Sequence, residues 1–117
     1  MNLELYRPQI EAALKHAGKT HNFEHILEGV QDGRFQAWVN GESIAICEIV
    51  VYPLKKSLNV FIAGGKSKEL VEMLESAEEW GRNQGCSKIT FAGRKGWLRY
   101  FKKSAFKQSI IFMEKSI

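Results

Sequence analysis

Several residue types and patterns are scarce in this chain of 117 residues, and each scarcity excludes a class of protein. The two cysteines, Cys47 and Cys86, form no CxxC pair and have no histidine cluster nearby, which excludes a disulfide framework and predicts no metal site. No apolar run approaches ~18 residues, so we expect no membrane span and no membrane partner. The first residues lack the charged and apolar regions of a signal peptide, which favours a cytoplasmic protein.

The composition is that of a globular protein with its own core. Hydrophobic residues make up 44% of the chain and charged residues 26%. The length suits one domain and is too short for two ordinary ones, so the sequence predicts a single domain over residues 1–117.

The positive charge is concentrated in one segment. The formal net charge is +4, from 17 Lys and Arg against 13 Asp and Glu. Residues 1–93 hold ten basic and twelve acidic side chains, whereas residues 94–107 hold six basic side chains and no acidic one. This basic segment indicates a local contact with an anion or a partner. The candidate contact residues are Arg94, Lys95, Arg99, Lys102 and Lys103.

Hydrophobic periodicity predicts an α+β domain with a mixed sheet. Two short amphipathic helices, the second capped by Asn22, precede an antiparallel meander whose first turn is Asn40-Gly41. A long amphipathic helix then crosses to a strand parallel to the last strand of the meander. The order is ααβββαβαβ. The elements after the meander are helix 68–84, strand 88–91, helix 97–103 and strand 108–114.

This order resembles the GNAT acetyltransferase superfamily from about Phe35 to Glu114. One supporting motif is the strand–turn–helix junction that runs from Phe61 to Lys68, because in the family this junction holds the pyrophosphate of acetyl-CoA. Free N–H groups at a helix N-terminus favour an anion there. A plain tight turn is the alternative interpretation of the two glycines. The resemblance implies acetyl-CoA as cofactor, bound by Ala63, Gly64, Gly65, Lys66, Ser67 and Lys68.

A second motif, from Trp97 to Phe106, is similar to the late helix of the family, which often ends Tyr-x-x-x-Gly-Phe with the tyrosine as general acid. In this chain Phe101 and Ala105 stand at the tyrosine and glycine positions, and Phe101 cannot donate a proton. Tyr100 is the remaining candidate for the acid, although it points about 100° away around a helix. This departure favours reduced or absent catalysis.

Glu48 lies within an otherwise apolar strand run. A carboxylate on a buried face has a raised pKa, as a general base for amine deprotonation requires, so Glu48 is the candidate catalytic base. The alternative interpretation places Glu48 at the open end of its face or pairs it with a strand neighbour.

The basic segment has several interpretations. Its rings, among them Trp97 and Tyr100, alternate with cations, as in surfaces that bind nucleic acids. Contact with the CoA phosphates or another anion, contact with a protein partner, and simple solvation are the other three.

The stretches Asp32–Trp38 and Gly93–Trp97 resemble small GNAT-like proteins encoded by bacteriophages. The resemblance implies an interaction or assembly module with reduced or absent catalysis, which binds phage structural proteins in the host cytoplasm or in the virion. The alternatives are an active acetyl-CoA-dependent N-acetyltransferase and a nucleic-acid-binding module that uses residues 94–107.

Overall fold

A computed structural model describes residues 2–117, apart from the side chains of Lys95 and Lys102. The strands are β1 (Gln36–Asn40), β2 (Ser43–Val51), β3 (Lys56–Gly64) and β4 (Lys88–Phe91), and the helices are α1 (Arg7–His16), α2 (Phe23–Gln31), α3 (Ser67–Asn83) and α4 (Leu98–Phe101). The strands form one sheet in the order β1-β2-β3-β4. The first three are antiparallel neighbours, and β4 is parallel to β3. The predicted α+β class and mixed sheet are therefore confirmed.

The sheet lies between two helical layers, and each face has its own apolar core. Helices α1 and α2 cover one face, where Ile10 and Ile26 pack with Ile44 and Ile46 of β2. Helix α3 covers the other face with Leu70 and its neighbours. Because β2 is covered on both faces, its first five residues are all buried, which explains its nearly continuous apolar sequence. None of the helices in the described part of the chain is both long and apolar enough to cross a bilayer.

Helix α2 begins as predicted at Asn22, and the cap is reciprocal. The Asn22 side-chain oxygen accepts a hydrogen bond from the His25 N–H at 3.0 Å, and His25 Nδ1 accepts one from the Asn22 N–H at 3.0 Å. This capping box satisfies two N–H groups that the helix itself leaves without partners. It also gives His25 a structural role.

One extra residue in β3 reverses the orientation of its side chains. Ile46 is opposite Ile62 and Cys47 is opposite Val60, so Phe61 has no opposite residue on β2. Before this bulge Val60 points towards α3, whereas Ile62 beyond it points towards α1 and α2. A bulge of this kind also bends its strand and increases its twist.

Helix α3 begins one residue earlier than predicted, and its N-terminus is stabilised from a distant strand. The N-cap residue is Lys66, whose side chain makes no capping hydrogen bond. The buried Ser43 hydroxyl accepts from the Lys66 N–H at 2.8 Å and donates to the Glu69 carboxylate at 2.7 Å. This non-local contact joins the start of β2 to the first turn of α3.

The last two predicted elements differ from the structure. The expected helix 97–103 is a helical segment from Lys95 to Ser104, in which α4 is flanked by two 3₁₀ turns. The expected strand Gln108–Glu114 does not form, and Ile110, Ile111, Phe112 and Met113 are 78–86% exposed. Strand propensity depends on a neighbouring strand and a covered face, and the short edge strand β4 is not paired with these residues.

Ser43→Ala should lower the free energy of unfolding by about 1–3 kcal/mol, because it leaves the Lys66 N–H and the Glu69 carboxylate without a buried partner. Urea unfolding followed by circular dichroism measures the change. Ser57→Ala is the matched control, because the buried Ser57 hydroxyl has no hydrogen-bond partner among the described residues. Equal losses of stability in the two variants would contradict the proposed role of Ser43.

Candidate functional site

β3 and β4 separate along their length and leave a wedge-shaped gap. Their pairing runs from Ser57 opposite Lys88 to Val60 opposite Phe91 and ends there, whereas β3 continues to pair with β2 as far as Gly64. Residues 61–64 therefore have a strand on one side only, within the part of the chain that the structure describes. We call this gap the wedge; its apex is the pair Val60–Phe91, and its open end is the turn that leads into α3.

The turn at the open end of the wedge is packed closely on its inner side. A Cβ atom on Gly64 would lie 2.8 Å from the carbonyl oxygen of Gln9 in α1, and one on Gly65 would overlap the side chain of Ser43. Gly65 also has a φ of +127°, which favours glycine. Tight packing thus explains both glycines, and it also brings the main chain of the turn to the surface.

The first turn of α3 offers unpaired N–H groups at this open end. The first hydrogen bond of the helix runs from the Leu70 N–H to the Lys66 carbonyl, so the N–H groups of Ser67, Lys68 and Glu69 lie before it. The Glu69 carboxylate is turned towards Ser43. This arrangement suits a bound anion such as a phosphate.

Cations stand on both sides of the wedge. Lys66 forms an exposed ion pair with Glu42, with an N–O distance of 3.3 Å. Lys68 is exposed and makes no ion pair with the described residues. On the opposite side the basic segment begins with the exposed Arg94, only three residues after Phe91 at the apex. Of the predicted cofactor residues, the half-buried Ala63 packs on the α3 face, and the others form the turn and the first helical turn.

Near the apex, three polar side chains form a row across the sheet. The Asn59 side-chain nitrogen donates to the Glu48 carboxylate at 3.3 Å, and the Thr90 hydroxyl donates to the Asn59 side-chain oxygen at 3.0 Å. All three side chains are half-buried. They come from β2, β3 and β4, and they face the side of α1 and α2, because Cys47 and Leu58 beside them face α3.

Sequence reasoning identified Glu48 but missed Asn59 and Thr90. The signal was the same for all three, namely one polar residue inside a short apolar strand, as in Leu58-Asn59-Val60 and Ile89-Thr90-Phe91. What the sequence lacks is the register, which places Glu48 opposite Asn59 and Asn59 opposite Thr90. The alternative interpretation of Glu48, as a carboxylate paired with a strand neighbour, therefore describes the contact with Asn59.

The structure does not bring Tyr100 to Glu48. α4 packs on the α3 side of the sheet, where Phe101 is 4% exposed and its ring centre lies 5.2 Å from that of Phe91. Tyr100 is 41% exposed, and the Arg99 guanidinium carbon lies 5.3 Å from its ring centre. Glu48 and Tyr100 thus lie on opposite faces. Ala105 has a φ of +65°, so it adopts the conformation that a glycine would favour at this position.

The basic segment exposes its described cations and packs most of its rings inward. Arg94, Arg99 and Lys103 are exposed. Trp97 and Phe106 are half-buried against the core beside Phe101, which leaves Tyr100 as the most exposed of the four rings in the segment. The positions Lys95 and Lys102, also predicted as contacts, have side chains outside the described part of the structure.

His21 and Cys47 are not suited to act as ligands or nucleophiles beside the row. The ring of His21 packs edge-to-face against that of the bulge residue Phe61, with ring centres 4.9 Å apart. The Nδ1 atom of His21 lies 2.6 Å from the Thr20 hydroxyl oxygen. Burial, together with the neighbouring charge of Glu48, raises the pKa of the Cys47 thiol to about 12, so Cys47 stays protonated and is a poor nucleophile. Among the described residues no three His, Cys, Asp or Glu side chains cluster to hold a metal ion.

A small hollow lies at the other end of β4, away from the wedge. It has a volume of about 60 Å³ and is lined by residues such as Leu58, Arg82 and Lys88. Ligand pockets for larger molecules span roughly 300–1,000 Å³, so this hollow fits a few water molecules at most.

Comparison with known proteins identifies the fold. No protein-family model and no curated protein sequence matches this chain. Solved structures do match, among them a probable acetyltransferase with a TM-score of 0.72 and 8% identity over 98% of this chain and 90% of that one. Glucosamine-6-phosphate N-acetyltransferase from Arabidopsis thaliana matches with a TM-score of 0.68 and 13% identity, over 99% and 94% of the two chains. An acetyltransferase of Trypanosoma brucei has a TM-score of 0.66 and 12% identity, over 89% of each chain. The chain therefore has the fold of the GNAT acetyltransferases.

Proposed function

We propose that this chain binds acetyl-CoA in the wedge and transfers the acetyl group to an amine, with Glu48 as the base. The observation that carries the proposal is the separation of β3 from β4 next to the free N-terminus of α3. The separation exposes an unpaired side of β3, and the helix terminus provides N–H groups for phosphate at one end of it. The likeness to acetyltransferases of 8–13% identity concerns the fold, so the function is argued from these residues.

The residues present fit the coenzyme. The turn from Gly64 to Lys66 approaches a ligand with its main chain, because its glycines pack inward, and the N–H groups of Ser67 and Lys68 would hold the pyrophosphate. Lys68 adds positive charge there. Acetyl-CoA supplies the activated acyl group when it is bound.

The base must remove a proton from the amine before the amine attacks the acetyl group. An alkyl ammonium has an ordinary pKa of about 10.4, so an amine is almost wholly protonated at neutral pH and must lose a proton to become a nucleophile. The Glu48 carboxylate is half-buried near the apex of the wedge, and its first neighbour, the Asn59 amide, donates to it. A carboxylate has about four acceptor sites, of which the Asn59 amide occupies one, so Glu48 can accept the proton directly or through a water molecule.

Binding is tested first by calorimetry with acetyl-CoA, for which we expect micromolar affinity and one molecule bound per chain. Lys68→Glu places a negative charge beside the helix N-terminus and should weaken binding by about tenfold. Lys15→Glu, an exposed charge reversal in the last turn of α1, is the matched control and should bind as the wild type does. No heat at millimolar acetyl-CoA, or equal losses in the two variants, would contradict the site.

Transfer is tested by the release of free thiol in the presence of a panel of amines, which includes a polyamine, an amino sugar and a peptide N-terminus. Glu48→Gln should lower the rate by about 100-fold or more and leave acetyl-CoA affinity unchanged, because the base acts on the amine. Glu79→Gln, on the exposed side of α3, is the control. An unchanged rate for Glu48→Gln would remove this residue from the mechanism.

A second candidate function, an interaction module, is favoured by the C-terminal segment. Residues 110–113 expose four consecutive large apolar side chains, and β4 is an edge strand of the sheet. Such a segment suits addition as a strand to the sheet edge of a partner chain. In a phage, as the sequence resemblance implies, this association would serve particle assembly.

Removal of residues 108–117 tests the second candidate. We expect the full chain to self-associate with rising concentration, because a second copy offers the β4 edge, and the shortened chain to stay monomeric. Light scattering after size-exclusion chromatography measures the difference, and acetyl-CoA binding is expected to be the same in both chains. A full chain that stays monomeric at all concentrations would contradict association through this segment.

A further inference from the structure

The two hydrogen bonds in the row formed by Glu48, Asn59 and Thr90 are both donated in the direction of Glu48. The Thr90 hydroxyl donates to the Asn59 side-chain oxygen, and the opposite end of the same amide, its nitrogen, donates to Glu48. Only the nitrogen end of the amide can donate to a carboxylate. If the amide were reversed, its oxygen would face the Glu48 oxygens and repel them. The contact with the Glu48 carboxylate therefore sets the orientation of the amide, and the Thr90 hydroxyl donates to the oxygen at its other end.

The row also has a defined position in the wedge. Thr90 directly precedes Phe91, the last residue of β4 that pairs with β3, and Asn59 directly precedes Val60, its opposite residue. The hydrogen bond between their side chains thus joins the two strands one residue before they separate. Any group that enters the wedge as far as the apex therefore comes close to the hydrogen bond between Asn59 and Thr90. Glu48 lies on the next strand, β2.

We infer that Asn59 and Thr90 are positioning residues, which hold the Glu48 carboxylate in a fixed orientation at the apex of the wedge. This inference rests on the proposed acetyl transfer. Asn59 acts on the base through its N–H group, and Thr90 acts one contact further away by fixing the Asn59 amide. Neither residue exchanges a proton with the substrate.

Thr90→Val removes the hydroxyl and keeps the shape of the side chain, so its effect reports on the hydrogen bond. We expect kcat to fall about tenfold with the KM for acetyl-CoA unchanged, because the base is misoriented while the coenzyme contacts remain. Thr90→Ser restores the hydroxyl and should recover most of kcat. Ser57→Ala is the matched control, because among the described residues its buried hydroxyl has no hydrogen-bond partner, and Ser57 lies on the same face of β3 as Asn59.

A second measurement, by NMR, tests the hydrogen bonds of the row without any acetyl transfer. The side-chain amide resonances of Asn59 should shift in Thr90→Val and in Glu48→Gln, and they should stay unchanged in Ser57→Ala. Resonances that do not respond to Thr90→Val would overturn the inference. Acetyl transfer by the wild type with an unchanged kcat in Thr90→Val would overturn the positioning role alone, whereas no transfer by the wild type with any amine would overturn the proposed function together with it.

Discussion

A single unmatched residue, Phe61, links the two apolar cores to the position of the wedge. Because it has no opposite residue on β2, the side-chain alternation of β3 reverses at this point, and each half of the strand contributes to a different core. The same point is where β3 loses β4 as a neighbour, since the last parallel pair is Val60 with Phe91. A bulge increases local twist, so one extra residue accounts both for the change of face and for the position at which the wedge begins.

The turn after β3 packs tightly and also leads into the helix N-terminus that is proposed to bind an anion, two interpretations that are often treated as alternatives. Its glycines are required by packing, because α1 and Ser43 lie where side chains would stand. The N–H groups in the first turn of α3 precede the first hydrogen bond of the helix, and they lie at the open end of the wedge. The Ser43 hydroxyl satisfies only the Lys66 N–H at the edge of the turn. A tight turn is therefore compatible with the proposed anion site, because the glycines pack inward while the first helical turn lies at the open end of the wedge.

Local patterns predicted most of the fold, and the exceptions have a common cause. The antiparallel meander was predicted, because turn residues separate its apolar strands, and Asn22 was identified as a cap from its own helix. The sequence could not show that Ser43 stabilises α3 or that Thr90 contacts Asn59, because both contacts depend on tertiary register. The segment 108–114 has strand-forming residues, yet a strand also needs a paired neighbour, and no local pattern reports one.

The replacement of a tyrosine by Phe101 bears less on the proposed chemistry than the position of the base does. Thiols have an ordinary pKa near 8.5, about two units below that of an alkyl ammonium near 10.4, so a departing thiolate needs little help from an acid at neutral pH. Deprotonation of the amine is the more demanding of the two proton transfers. In this chain the group suited to that transfer, Glu48, is held by a row of hydrogen bonds, whereas Phe101 is part of the α3-side core. The helix α4 therefore has a packing role, and the proposed catalysis depends on the opposite face of the sheet.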